Sequence, residues 1–211
     1  MVGVLITFEG PDGGGKTTQL GLLAEHLRRQ GHVVRCTREP GGTELGDKIR
    51  GLLLDPANYE MAPRTEALLC MAARAQHVAE LIGPALARGE IVLSDRFADS
   101  TLVYQGTARR LAREDLAAIN LFATGGMVPD LTILLDGDAA VLDTRLAGRG
   151  GADRIERETA AFHDLVRQGF RELAAAEPER VKPVAAGGDV AEVHRAVVLV
   201  VEEFMRRRAY G

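Results

Sequence analysis

The sequence predicts an α/β fold: a central parallel sheet of about five strands with helices on both faces. Three observations carry that prediction. Short apolar runs rich in branched residues alternate with longer amphipathic stretches along the whole chain. The first apolar run passes straight into a glycine-rich loop that opens a helix. No repeat, low-complexity tract or linker interrupts the alternation, so residues 1–211 are read as one domain.

"VLITF" is short, continuous and branched, as a strand buried on both faces must be. In "TTQLGLLAEHLRRQG", Leu20, Leu23 and Leu27 share one helical face, and Gly31 stands where a C-terminal cap is needed. "HVVRCT" is the second strand. "TELGDKIRGLLL" is a short helix starting at Thr43, and Pro56 and Pro63 punctuate the loop after it. "RTEALLCMAARAQHVAELIGPALARG" predicts one long helix, kinked near Gly83 and Pro84. "EIVLSD" is the third strand, followed by helical segments from about Asp99 to Ala123. "DLTILLD" is the fourth strand and "AAVLDTRLA" the helix behind it. "GRGGADR" breaks the pattern. A polar helix is expected from about Ile155 to Ala176, then a weak last strand in "RVKPVAA" and a closing helix in "DVAEVHRAVVLVVEEFMRRR".

Composition narrows the function. The net charge of −4 argues against a broad basic face for a nucleic-acid backbone, while a local basic pocket remains open. Cys36 and Cys70 have neither CxxC spacing nor a neighbouring histidine pattern, so buried reduced thiols are expected rather than a zinc site. The five histidines lack partner patterns and are expected on surfaces or helix faces. The N-terminal run has no basic leader, and "AVVLVV" is far too short to span a bilayer, so a cytoplasmic protein is expected.

The loop Gly10, Pro11, Asp12, Gly13, Gly14, Gly15, Lys16, Thr17 completes the pattern GxxxxGK followed by Ser or Thr, with Thr18 carrying it into the helix. Glycines let backbone N–H groups converge on phosphate oxygens, and the helix N-terminus adds its dipole. Lys16 is suited to the β- and γ-phosphates and the Thr17 hydroxyl to Mg2+. This pattern indicates nucleoside triphosphate binding without fixing the reaction. No NKxD guanine motif is present. Neither strand-end acid, Asp95 or Asp136, is followed by the glutamate that hydrolytic ATPases use on water, which favours transfer to an acceptor. Asp95 is the better magnesium candidate, since its strand should lie beside the phosphate-loop strand. Its other reading is a helix N-cap.

Arg38 closes the second strand and Arg96 follows Asp95, so both should face the crevice that holds Lys16. Guanidinium forks match phosphate oxygens, and two of them beyond the triphosphate loop imply a second phosphate, on an acceptor. The segment at about 147–157, with Arg149 and Arg154 among glycines, reads equally as a lid or as a solvated basic loop.

Together "FEGPDGGGKTTQ", "TREPGGT", "LLCMAARAQHV", "DRFADSTLVYQG", "PDLTILLD" and "GRGGADRIE" resemble the thymidylate kinase family, in order, over residues 7 to about 157. The resemblance implies a P-loop nucleoside-monophosphate-kinase-like fold, phosphoryl transfer from MgATP to dTMP, and a homodimer. It implies that Arg38 and Arg96 bind the acceptor phosphate and that Arg74 reads thymine. Glu39, Pro40, Ser100, Thr101, Tyr104 and Gln105 stand in the acceptor-binding segments. Arg149 matches the lid cation of the bacterial branch, in which a glycine such as Gly13 follows the loop acid. Asp12 would orient the deoxyribose 3′-hydroxyl rather than face ATP. Cys70 departs from the family pattern, standing where a phenylalanine usually stacks on thymine. Phe97 or Tyr104 is the candidate substitute. Other nucleoside-monophosphate kinases, acting on UMP, CMP or dUMP, and a nucleotide-gated switch ATPase are the competing readings.

Overall fold

The computed structural model describes residues 3–147 and 151–210. Five strands form one parallel sheet in the order β2-β3-β1-β4-β5: β1 (Val4–Glu9), β2 (Val34–Arg38), β3 (Ile91–Asp95), β4 (Leu131–Asp136) and β5 (Val181–Ala185). The three inner strands are the most apolar and are buried almost throughout. Pro183, which cannot donate to a ladder, sits on edge strand β5.

Strand alternation sends successive side chains to opposite faces. Val4, Ile6, Phe8, Ile133 and Leu135 pack on α1 (Lys16–Arg29) and α9 (Val190–Tyr210), meeting Leu20, Leu23, Leu27, Val193 and Val197. On the other face, Leu134 and Val181 meet Phe162, Val166 and Phe170 of α8 (Ala160–Ala176), while Leu5 and Val92 meet Ile82 and Phe97. The expected ends of the first helices hold. Gly31 takes φ +89° just past α1, and the Thr43 hydroxyl caps α2 (Glu44–Leu54) by accepting from the Gly46 N–H at 3.0 Å.

The long helix departs from a simple kink. It runs as α3 (Pro63–His77), a π-helical stretch (Val78–Ile82) and α4 (Gly83–Ala87). Pro84 has no N–H and its ring crowds the carbonyl four residues back, so the turn before it widens and Gly83 N–H bonds Val78 O instead. The region from Asp99 to Ala123 is likewise divided: α5 (Ala98–Thr101), a second π-helical stretch (Leu102–Ala108), a break, and α6 (Arg113–Thr124). The polar helix begins at Ala160, five residues later than expected, because Thr159 caps it and residues 154–157 form turns. α7 (Ala139–Ala147) follows β4.

Two glycines of the phosphate loop are sterically required. A Cβ at Gly10 (φ +131°) would lie 2.4 Å from Leu135 O, and one at Gly13 (φ +80°) 2.4 Å from Leu142 O. Gly13 is therefore fixed by the approach of α7 as well as by its place in the motif.

Candidate active site

The carboxyl ends of β1, β2 and β3 converge at one crevice, and the loops leaving them carry the polar groups. Lys16 is buried at the start of α1. Its Nζ donates to Gly10 O at 3.1 Å and Pro11 O at 2.8 Å, bridging its own loop. Burial, aided by the neighbouring Arg96, pushes its pKa down to about 8. Thr17 Oγ1 donates to Asp95 Oδ2 at 2.5 Å, so the strand pairing expected for Asp95 is present and brings both magnesium candidates together. Asp136 instead pairs with Arg171 of α8.

Arg96 is the centre of the site. Its backbone is left-handed (φ 72°), a conformation that costs an arginine about 1–2 kcal/mol. The corner is held by Arg96 N–H donating to Phe8 O at 2.9 Å and by Ser94 Oγ donating to Arg96 O at 2.7 Å. This turns the side chain back over the phosphate loop. Nη1 donates to Gly10 O and Ser100 Oγ, each at 3.0 Å, and Nη2 to Asp12 Oδ1 at 2.6 Å and Tyr104 OH at 3.0 Å. The guanidinium lies 5.0 Å from the centroid of the Tyr104 ring.

Asp12 thus faces Arg96 and Tyr104, whose hydroxyl donates to Oδ2 at 3.1 Å, with Lys16 Nζ 3.8 Å away. Although burial alone would raise it, Arg96 and Lys16 hold its carboxyl well below the usual range. The carboxylate in the anion cradle is accommodated as a counter-ion for two cations.

Glu9, at the end of β1, is a buried carboxyl that sequence reasoning passed over; an acid closing an otherwise apolar strand was the available signal. It accepts from the N–H groups of Phe97 at 2.8 Å and Ser100 at 3.2 Å and from Ser100 Oγ at 2.6 Å, which ties the Arg96 corner to the sheet. Burial and the nearby Asp99 push it up from 4.5 to about 7 against the pull of Arg96. The folded chain therefore keeps a proton that the unfolded chain has released between those values. The resulting stability is fully present below about pH 4.5 and is lost as pH rises through 7. Urea unfolding at pH 5, 6, 7 and 8 should show a decline on the order of 3 kcal/mol from this group, absent in Glu9→Gln. Equal slopes in the two proteins would count against a protonated Glu9.

Two clefts open here. One, enclosing about 1020 Å³, is lined by Gly13, Gly15, Lys16, Thr17, Arg38 and Asp95 among others. The other, about 740 Å³, is lined by Pro40, Cys70, Arg74, Phe97, Ser100, Thr101, Tyr104 and Gln105 among others. Asp12, Glu39, Arg50, Arg96 and Asp153 line both, so the clefts adjoin along that wall.

The second cleft is braced by buried ion pairs. Arg74 Nε donates to Glu39 Oε2 at 2.7 Å, Nη2 to Phe97 O at 3.0 Å and Thr101 Oγ1 at 3.2 Å, and Nη1 to Asn120 Oδ1 at 2.8 Å and the Met71 thioether at 3.6 Å. Glu39 also meets His77 Nδ1 at 3.0 Å, and His77 Nε2 lies 2.6 Å from Thr37 Oγ1. His77 is fully buried on the inner face of α3, so of the two places expected for the histidines it takes a helix face. It lies three residues after Arg74, on the same helical face, and anchors the loop before α2. The Cys70 thiol lines the cleft as expected from its place in the motif, and burial pushes its pKa up to about 12, leaving it neutral. Both cysteines depart from the expectation of buried thiols: Cys36 is exposed, because β2 is an edge strand, and Cys70, in the cleft wall, is only partly buried.

Arg38 is half exposed and paired with Asp47 at 2.9 Å. Arg50 was missed, since nothing in "GDKIRG" marks it. It donates to Pro40 O at 3.0 Å and reaches both clefts from α2. Arg149 lies outside the described residues. Arg154 is not a solvated loop residue: its N–H donates to Leu54 O at 3.0 Å, its Nε to Leu53 O at 2.7 Å and its Nη2 to Glu66 Oε2 at 2.7 Å.

Among the described residues no cluster of His, Cys, Asp or Glu suits a metal by itself, and no helix is long and apolar enough to cross a membrane. The thymidylate kinase family model matches residues 8–197. A thymidylate kinase of Lactobacillus delbrueckii subsp. bulgaricus is 49% identical over 205 residues, covering 96% of this chain and 97% of that one. One from Geobacter sulfurreducens is 50% identical over 213 residues, covering 98% and 100%. The crystal structure of thymidylate kinase from Ehrlichia chaffeensis superposes with a TM-score of 0.77 at 33% identity, covering 96% of this chain and 99% of that one. A phosphate loop, a second adjoining cleft walled by arginines, and full-length similarity of this order lead to one conclusion: the chain belongs to the thymidylate kinase family.

Proposed function

We propose that this enzyme transfers the γ-phosphoryl group of ATP to the phosphate of dTMP, giving ADP and dTDP. The observation that carries the reading is the shared wall of the two clefts, where the phosphates of two nucleotides would meet at Arg96, Arg50 and Asp12. The residues 1–211 act as one kinase domain in this reading, with ATP phosphates on Gly10 to Thr18.

The acceptor phosphate oxygen is already a nucleophile, so no general base is needed. The protein's work is positioning and charge neutralisation. Lys16 exchanges its loop carbonyls for β- and γ-oxygens. Arg38 and Arg50, whose guanidinium groups bond only Asp47 and Pro40 O among the described residues, hold the acceptor phosphate with Arg96. Arg149 brings a further cation from the lid, whose later part, around Arg154, is already docked on α2 and α3. Thr17 and Asp95 offer the hard oxygen donors that Mg2+ takes. When bound, the ion neutralises charge on the phosphate oxygens. Thymine lies in the cleft beside Cys70, Phe97 and Tyr104. Its O4 takes the Arg74 N–H that now rests on the Met71 thioether, the weakest of that guanidinium's acceptors.

An ADP-release assay with MgATP against dTMP, dUMP, UMP, CMP, AMP and no acceptor tests the reading. Fast turnover on dTMP is the expected result. ADP release indifferent to the acceptor would mean an NTPase. Asp12→Asn should raise the acceptor KM about tenfold with the ATP KM little changed, because the amide loses a lone pair and the charge that fixes Arg96. An unmoved acceptor KM would remove Asp12 from acceptor recognition. We place the enzyme in the cytoplasm as a homodimer. Leu68 on α3 and Leu121 and Phe122 on the adjoining α6 are exposed apolar side chains that a second copy would cover.

A further inference from the structure

Glu66, in the first turn of α3, is almost completely buried, and the transfer reaction gives it no task. Its Oε1 accepts from Gln105 Nε2 at 2.8 Å and Arg109 Nε at 3.3 Å; its Oε2 accepts from Arg154 Nη2 at 2.7 Å and Arg109 Nη2 at 3.1 Å. Burial pushes its pKa up, but the hydrogen bonds from Gln105, Arg109 and Arg154 outweigh burial and hold it below the ordinary value. An ionised carboxylate only accepts hydrogen bonds. The atom of Gln105 that meets it must therefore be the amide nitrogen, since a flipped amide would set two oxygens against each other. Gln105 lines the acceptor cleft, and among the described residues no donor reaches its Oε1. The cleft is thus offered an acceptor of fixed orientation.

We infer that Glu66, by fixing the side-chain amide of Gln105, makes the cleft select 4-oxo pyrimidine monophosphates over 4-amino ones. The inference rests on the reading of this cleft as the acceptor site. A 4-oxo pyrimidine carries N3–H, a donor that the Gln105 carbonyl satisfies. Cytosine has a bare lone pair at N3, which sets acceptor against acceptor at the Gln105 oxygen. The device is blind to the 5-methyl group, so uracil passes it as thymine does. Glu66 is a positioning residue: it never touches the base.

The test compares kcat/KM for dTMP, dUMP and dCMP, or the inhibition constant of dCMP against dTMP where dCMP is not turned over. A glutamine at position 66 can present either end of its own amide, which frees Gln105 to rotate. Glu66→Gln should lower the dTMP-to-dCMP ratio by about tenfold or more, with dUMP following dTMP. Arg154→Met removes another partner of the same carboxylate but leaves the amide bond in place, so it should keep the ratio within about twofold. A ratio unmoved by Glu66→Gln, or moved as far by Arg154→Met, overturns the inference. Should Glu66→Gln fail to fold, Glu66→Asp decides: the shorter side chain keeps the charge but withdraws the carboxylate from Gln105, so a fall of about tenfold supports the inference and an unchanged ratio overturns it. A wild-type enzyme that does not phosphorylate dTMP sinks the acceptor reading along with the inference, an outcome distinct from an unmoved ratio.

Discussion

Arg96→Met is expected to lower kcat/KM by at least about 10³-fold and to destabilise the fold by about 3–5 kcal/mol. Both effects come from one geometry. The guanidinium ties Gly10 O, Ser100, Asp12 and Tyr104 together at the wall between the clefts. Removing it deletes a cation from the wall that the two clefts share. It also leaves Asp12 with the neutral Tyr104 hydroxyl at 3.1 Å and, as its cation, only Lys16 at 3.8 Å, and it removes the cation that opposes the burial of Glu9. Lysine cannot rescue either effect, because one ammonium cannot span four acceptors in a plane. Steady-state kinetics and urea unfolding at pH 7 on Arg96→Met and Arg96→Lys check this. Near wild-type stability in Arg96→Met would show that the carboxylates around it do not depend on it.

Lys16→Met is expected to lose comparable activity, about 10³-fold or more in kcat, while making the protein more stable, by about 1–2 kcal/mol at pH 7. The sign follows from the depressed pKa. Lys16 is charged below about pH 8 in the fold and below 10.5 when unfolded, so folding at pH 7 works against the desolvation of an ammonium. Methionine fills a similar space without that cost. Two cations 10³-fold important to one reaction should therefore move thermal stability in opposite directions. A Lys16→Met protein that melts below wild type would contradict the electrostatic account of the loop.

Much of this site was legible from residue order. Lys16, Thr17 and Asp95 were marked by strand, loop and spacing, and the structure brings Thr17 and Asp95 into contact because β3 pairs with β1. Arg38, Arg74 and Arg96 were visible as arginines near strand ends or inside a matching segment. Other members of the site carry no local signal. Arg50 reaches both clefts only because α2 folds across the end of β2, and Glu66 meets Gln105 and Arg154 only because three distant segments converge. The partners of His77 were equally invisible: a lone histidine on a helix face has none in sequence, and here they are Thr37 of β2 and Glu39 just after it. Neither thiol is fully buried, because Cys36 lies on an edge strand and Cys70 faces a cleft.

The sequence by itself determined the alternation of strands and helices, the phosphate loop with its helix, and the family. Each of these is written in short-range periodicity, or in turns whose backbone only certain residues adopt. Tertiary structure alone decided strand order, the left-handed corner at Arg96, and which buried charges compensate one another. Those depend on desolvation and on contacts between residues far apart in the chain. A carboxylate such as Glu9, Glu39 or Glu66 is ordinary on a surface, and it acquires a function only when the fold removes its water and supplies its donors.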